Sequence, residues 1–286
     1  MPEIVYLNGS LVPREDARIA VMDYGFLYGY GLFETMRAYE GKVFRLERHL
    51  DRLAGSAEIL GIAIDKSVLS SAVMDTLHAN GLSDARIRLT VSIGEGGAVP
   101  DATTCGRPTV LVVAAEYRPF PGEVYEKGFR AVVSSFCRNS RSPISGMKSL
   151  SYLESMLARQ EARVAGVDEA ICLNEQGYLA EASMSNVFVV VGGVLKTPGI
   201  ASGILPGVTR EAVLELAKNL KIPASEHDIT LEELLQADEA FVTNSVIEVM
   251  PLTEVDDKPI GSGTPGQVTW KLTAAYEEMV WREVGE

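Results

Sequence analysis

Cysteine and histidine are scarce in this chain, three of each among 286 residues, and neither set clusters. Cys105, Cys137 and Cys172 are odd in number, far apart and without a CxxC spacing, which excludes a disulfide framework or a zinc ribbon and predicts reduced thiols. His49, His78 and His227 do not recur at ligand spacing, so no metal site is expected and all three read as solvated or helix-surface side chains. Positive charge is also short. Against 39 Asp and Glu there are 26 Lys and Arg, a formal net charge of -13, which argues against nucleic acid or an anionic membrane as partner but leaves room for a local anion pocket. No apolar run reaches the roughly 18 residues of a spanning helix, and the start of the chain lacks the charged and apolar regions of a secretion signal. The expectation is an unexported, cytoplasmic protein.

What is present is enough apolar material for a core, 47% of the residues, over a length that suits two domains. Ile4 to Leu7 and Leu11-Val12 flank Asn8-Gly9, a pair that tolerates the positive φ angles of a tight hairpin turn. Leu32 to Tyr39, Glu40-Gly41 and Lys42 to Arg45 repeat that pattern. From Leu46, apolar residues at 46, 50, 53, 57 and 60 form one helical stripe, while Arg45, Arg48 and Arg52 form another row. A further helix is predicted over Lys66 to Asn80. Ala85 to Ser92 alternates strictly, with Arg86, Arg88 and Thr90 on one face. Arg118-Pro-Phe-Pro-Gly122 can continue neither a helix nor a central strand. The expected domains are therefore 1–118, smaller and N-terminal, and 128–286, larger, with 119–127 as linker. In the second domain, strands are predicted near Phe129 to Ser135, Glu169 to Leu173, Ser185 to Val191 and Glu239 to Thr243, and helices from about Ser149, Thr209 and Thr269.

Three stretches point to chemistry. Lys148 is one of nine lysines, set among small and apolar residues at the expected mouth of a helix, with no acidic neighbour within five positions. An amine in such surroundings is readily nucleophilic toward carbonyls; a solvated lysine is the plainer reading. Ser145-Gly-Met-Lys148 also fits the S-x-x-K pattern of serine acyl-transfer enzymes, but its partner motifs are missing, since Lys196-Thr197 is followed by Pro198. Leu205-Pro-Gly-Val-Thr209-Arg210 leads into an apolar-periodic run and leaves backbone N–H groups at a helix start, either a phosphate site or an ordinary capped helix. Glu181 is expected just before a strand, where it is either a solvated carboxylate or a partner for a basic group.

Taken in order, Lys148-Ser-Leu-Ser-Tyr152-Leu, Gly177-Tyr-Leu-Ala-Glu181-Ala-Ser-Met-Ser-Asn186 and Leu205-Pro-Gly-Val-Thr209-Arg210 resemble the fold-type IV pyridoxal-phosphate enzymes, which include branched-chain and D-amino acid aminotransferases and 4-amino-4-deoxychorismate lyases. The likeness runs from Asn8-Gly9 through Phe33-Glu34 to Glu248-Val-Met-Pro251. It implies a two-domain α/β fold with pyridoxal 5'-phosphate held mainly by the second domain. Lys148 matches the lysine that forms the Schiff base and shuttles the proton, and Glu181 the carboxylate paired with the pyridine nitrogen. Tyr152 and Asn186 match residues near the ring, and Arg52, Val208, Thr209 and Ser245 the phosphate ligands. Tyr28, Phe33, Arg37 and Arg88 are similar in position to groups lining the substrate pocket. The Arg-x-His carboxylate trap of the D-amino acid enzymes is replaced here by Ser92-Ile-Gly-Glu-Gly-Gly. The resemblance implies a homodimer that transfers an amino group between an amino acid and a 2-oxo acid such as 2-oxoglutarate. The alternative is the lyase, which would release pyruvate and 4-aminobenzoate.

Overall fold

A computed structural model describes residues 3–285. The chain divides into two compact units. One takes in the chain up to Arg118 together with Met147–Tyr152 and the residues from Glu283; the other comprises Pro119–Gly146 and Leu153–Arg282.

In the first unit the order is β1 (Ile4–Leu7), β2 (Ser10–Pro13), α1 (Tyr24–Tyr28), β3 (Gly31–Tyr39), β4 (Lys42–Val43), α2 (Leu46–Ile59), α3 (Lys66–Ala79), β5 (Ala85–Ser92) and β6 (Thr109–Glu116). The strands form one antiparallel sheet in the order β2-β1-β6-β5-β3-β4. Both expected hairpins are present. Leu7 pairs with Ser10 and Tyr39 with Lys42, so each turn has two residues, and Asn8, Gly9, Glu40 and Gly41 all take positive φ. The second hairpin is shorter than expected: β4 ends at Val43, and Arg45 is the N-cap of α2.

Helices α2 and α3 pack on the sheet, α2 against β3 and α3 against β1 and β6. Ile87, Leu89 and Val91 of β5 meet Leu50 and Leu53 of α2 and Leu69, Val73 and Leu77 of α3 in a single core. Each such fully buried side chain contributes about 1.5–3 kcal/mol by leaving water. The other face of β5 carries Arg86, Arg88 and Thr90. In the β3–β5 register Phe33 lies opposite Thr90, Thr35 opposite Arg88 and Arg37 opposite Arg86, and directly paired residues project to the same side.

The second unit begins with α4 (Gly122–Lys127), inside the segment expected to be a linker. It continues through β7 (Phe129–Val133), α5 (Leu153–Ala165), β8 (Glu169–Leu173), β9 (Leu179–Ala182), β10 (Asn186–Val191), β11 (Val194–Thr197), α6 (Val208–Asn219) and β12 (Ala224–Glu226). The last elements are α7 (Leu231–Leu235), β13 (Glu239–Asn244), β14 (Glu248–Val255), β15 (Lys258–Pro259) and α8 (Gln267–Gly285). Its mixed sheet runs β12-β11-β10-β13-β14-β7-β8-β9, with β15 on β14. The pairs β7–β8, β7–β14 and β11–β12 are parallel and the rest antiparallel. Leu179, Ala182, Val187, Val189, Val242, Met250 and Leu252 form its core, and α5 packs on β8. Among the described residues no helix is long and apolar enough to cross a membrane.

One local expectation is corrected and a second refined. Lys148 is not at a helix mouth: α5 starts at Leu153, and Lys148 to Leu150 are extended against the start of β3, with Leu32 bridging Ser149. The Phe33 N–H donates to the Lys148 carbonyl and the Leu150 N–H to the Gly31 carbonyl, both at 2.8 Å. Backbone groups committed to a strand cannot also begin a helix. Glu181 precedes β10 as expected but itself lies within a further short strand, β9.

Candidate active site

In the first unit the Lys148 amine stands over two aromatic rings, 4.7 Å from the centroid of Phe33 and 5.7 Å from that of Tyr152. Those rings meet edge to face at 5.2 Å. The Arg88 guanidinium covers Phe33 at 3.8 Å. Burial, reinforced by the neighbouring charge of Arg86, lowers the pKa of Arg88 below the usual arginine value. Phe33 thus has the amine and a guanidinium on its ring, and Lys148, Tyr152, Phe33 and Arg88 are brought together. Arg37 stacks on Tyr39 at 4.3 Å and on Tyr117 at 4.6 Å. Tyr28, at the end of α1, packs edge-on against Tyr24 at 4.9 Å.

Arg52 projects from α2 onto Glu34 of β3. Its Nε donates to Oε1 at 2.8 Å and its Nη2 to Oε2 at 2.6 Å, and His49 Nδ1 lies 2.8 Å from Oε2. Glu34 and His49 are both buried. Burial alone would raise the Glu34 pKa, but the Arg52 charge and the hydrogen bond with His49 outweigh it and hold the carboxyl down at about 2. For His49, burial lowers the pKa against the opposing pull of Glu34, which favours the neutral ring. His49 is therefore a buried partner and not the surface side chain expected, whereas His78 is exposed. Glu34 was legible in principle: a lone carboxylate in the apolar run Gly31-Leu-Phe-Glu-Thr-Met-Arg needs a cation if the strand is covered on both faces.

In the second unit Glu181 is buried and held from three directions. Its Oε1 pairs with Arg138 Nη2 at 3.0 Å; its Oε2 accepts from the Leu205 N–H at 2.9 Å and the Asn186 side-chain amide at 3.4 Å. Asn186 also donates to the Leu205 carbonyl at 2.9 Å. Gly207 is the N-cap of α6 and gives it no side-chain cap. A Cβ there would lie 2.0 Å from Asn186 Oδ1, so only glycine allows this approach. Val208 and Thr209, buried, form the first turn of α6, where backbone N–H groups favour an anion. Ser245 lies in the turn between β13 and β14, and that turn is fixed by Asn244 Oδ1, which accepts from the N–H groups of Val246 and Ile247. Arg138 has no sequence signal, because its relation to Glu181 spans 43 residues, the difference between the two numbers. Among the described residues no group of His, Cys, Asp and Glu could hold a metal ion.

The elements therefore define a mixed α/β protein with an amine set on aromatic rings in one unit and, in the other, a locked carboxylate and an open helix start. The family described as amino-transferase class IV matches residues 31–255. A putative branched-chain-amino-acid aminotransferase of Methanocaldococcus jannaschii is 41% identical over 278 residues, covering 96% of each chain. An aminodeoxychorismate lyase of Bacillus subtilis is 35% identical over 287 residues, covering 99% of this chain and 97% of its own. Among solved structures, the branched-chain amino acid aminotransferase of Escherichia coli superimposes with a TM-score of 0.93 at 33% identity, over 98% of this chain and 95% of that one. The chain belongs to the class IV aminotransferase family, and its fold is that of the fold-type IV enzymes.

Proposed function

We propose that this chain is a pyridoxal 5'-phosphate-dependent aminotransferase acting between an amino acid, branched-chain or related, and a 2-oxo acid. The observation that carries the reading is Glu181, a buried carboxylate fixed by Arg138 and the Leu205 N–H, in a family member whose Lys148 carbonyl accepts from the Phe33 N–H of β3.

The donor set fits such a cofactor: an amine for its aldehyde, an anion for its basic ring nitrogen, and a cation with a helix start for its phosphate. When bound, the cofactor offers a carbonyl to amines and a ring that takes up the electrons of a broken Cα–H bond. With the cofactor bound, Lys148 Nζ would hold it between turnovers and serve as the base that takes the proton from the substrate Cα. Phe33 and Tyr152 lie under that amine, at 4.7 and 5.7 Å from their ring centroids. The Glu181 carboxylate keeps a proton on the ring nitrogen. Asn186 holds Glu181 to the Leu205 carbonyl segment. Arg52, the N–H groups of Val208 and Thr209, and the Ser245 hydroxyl are the groups that would hold the phosphate. Tyr28, Phe33, Arg37 and Arg88 line the substrate pocket, with Arg88 available to a carboxylate.

The Bacillus subtilis relative supports a second reading, the lyase, which shares these roles as far as removal of the α proton. An assay of L- and D-amino acids with 2-oxoglutarate, beside one with aminodeoxychorismate, separates the two: amino transfer without pyruvate release is expected, and pyruvate release alone overturns the aminotransferase. The cofactor reading has its own test. Wild-type protein should be yellow and keep the cofactor covalently after borohydride reduction, and Lys148→Ala should not; a wild type that stays colourless with added cofactor sinks it.

The reading includes a homodimer. Ile19, Val21, Phe26, Leu27 and Tyr28 are exposed apolar residues of one short stretch. Three of them, Ile19, Val21 and Phe26, rim a cavity of about 410 Å³ in the first unit. Such a patch is the kind of surface a second copy covers. Three free cysteines and no spanning helix among the described residues support a cytoplasmic location.

A further inference from the structure

Arg138 fixes Glu181, but the reading above gives it no part in where the proton sits. It follows β7 in a segment pinned to the end of β8: its N–H donates to the Leu173 carbonyl at 2.8 Å, and the Glu175 N–H donates to its own carbonyl at 3.2 Å. Its Nε donates to the Gly203 carbonyl and its Nη2 to the Ser145 carbonyl, each at 3.3 Å. The same Nη2 stands 3.0 Å from Glu181 Oε1. Gly203 makes this possible by its left-handed φ of +84°, and a Cβ there would lie 2.7 Å from the Ser140 Cα. The guanidinium is thus gripped by two carbonyls from two different loops and offered to one carboxylate oxygen.

Several acidic groups lie near this pair. On β8 the Cys172 thiol, pushed up to about 12 by burial against the opposing pull of Arg138, also feels Glu181, Glu169 and Glu161. Glu169 is buried, with Arg159 at 3.8 Å as its cation. Arg138, at 3.0 Å, is therefore a cation that offsets the charge of Glu181.

We propose that Arg138 is a positioning residue for Glu181: it fixes the carboxylate oxygen in place and weakens its hold on a proton, so that the proton shared with the cofactor's ring nitrogen stays on nitrogen. The proposal rests on the reading that Glu181 faces that nitrogen. A carboxylate already paired with a guanidinium is a poorer proton acceptor. Without Arg138, Glu181 would be a buried carboxylate that has lost a guanidinium at 3.0 Å, freer to take the proton itself or to turn away.

The test uses reconstituted holoenzyme of wild type, Arg138→Met, Arg138→Lys and Glu181→Gln. Cofactor content, kcat and KM for one amino acid, and the pH titration of the cofactor's visible absorption are measured on each. Arg138→Met should keep its cofactor, lose on the order of tenfold to a hundredfold in kcat with KM changed little, and raise the apparent pKa of the absorption by about one unit, because a nearby positive charge is gone. Arg138→Lys should recover part of both effects. An Arg138→Met enzyme with wild-type kcat and titration overturns the proposal, and so does equal loss in the Met and Lys variants with an unmoved titration. If the Met variant does not fold, Arg138→Gln, which keeps a donor without the charge, carries the same comparison. Glu181→Gln separates the two levels. If it too behaves as wild type, the Glu181 reading fails; if it is impaired while the Arg138 variants are not, only the present proposal fails.

Discussion

Arg52 meets Glu34 edge-on, Nε to Oε1 at 2.8 Å and Nη2 to Oε2 at 2.6 Å, so one flank of the guanidinium is committed to a carboxylate that is itself completely buried. This two-point grip fixes the plane of the guanidinium as a single contact would not. His49 closes the arrangement from the same helix, three residues before Arg52 on the face that packs on β3.

The first prediction concerns this grip. Glu34→Gln should weaken cofactor retention although Glu34 is given no contact with the cofactor, and Arg52→Ala should weaken it further; equilibrium dialysis of the cofactor reads both. Wild-type retention in Arg52→Ala would remove Arg52 from the phosphate site.

Glu34 also has a signature in stability. Its folded pKa, about 2, lies below its ordinary 4.5. A carboxylate lowered on folding contributes stability above its unfolded pKa, and loses it as pH falls through the folded one. The contribution is on the order of a few kcal/mol. Denaturant melts at intervals from pH 6 to pH 2 should show the gap between wild type and Glu34→Gln closing below about pH 4.5. A constant gap would mean that the carboxylate is not held down.

Glu169 should behave in the opposite sense. Burial raises its pKa, against the hydrogen bonds from the Ser183 and Ser185 hydroxyls and the Ala170 N–H. A group raised on folding stabilises below its unfolded pKa, and that contribution is lost as pH rises through the folded value. Glu169→Gln resembles the protonated form. It should match wild type near pH 4 and be as stable or more stable at pH 8, and a variant destabilised by more than about 2 kcal/mol at pH 8 would show that the charged form is the one the fold needs.

For the ring nitrogen, Glu181→Gln should retain cofactor yet lose most turnover, because an amide cannot hold a proton there as an anion does. Burst and steady-state rates on one amino acid measure this, and unchanged kcat refutes the role.

The exposed stretch yields a prediction about assembly. Phe26 is 77% exposed at the rim of the apolar cavity. Phe26→Asp should shift sedimentation from dimer toward monomer without lowering the melting point of the isolated chain. A wild type that sediments as a monomer at micromolar concentration ends the dimer reading.

The sequence by itself determined whatever local rules control. Asn8-Gly9 specifies a two-residue turn because few other pairs tolerate two successive positive φ angles, and Glu40-Gly41 takes the same φ signs with only Gly41 suited to them. The strict alternation of Ala85 to Ser92 assigns Ile87, Leu89 and Val91 to the core and Arg86, Arg88 and Thr90 to the other face. The ordered motifs around Lys148, Glu181 and Thr209 were enough to indicate the family.

Only the tertiary structure decided what those residues touch. Lys148 looks like part of a helix start, since Ser149 to Ala158 has helical periodicity; the bonds from Phe33 and to Gly31 that keep it extended come from more than a hundred residues away, where no local pattern can report them. Glu34 with Arg52 and Arg138 with Glu181 are of the same kind. A buried charge must find its counter-charge wherever the fold brings one, and sequence distance carries no information about where that is.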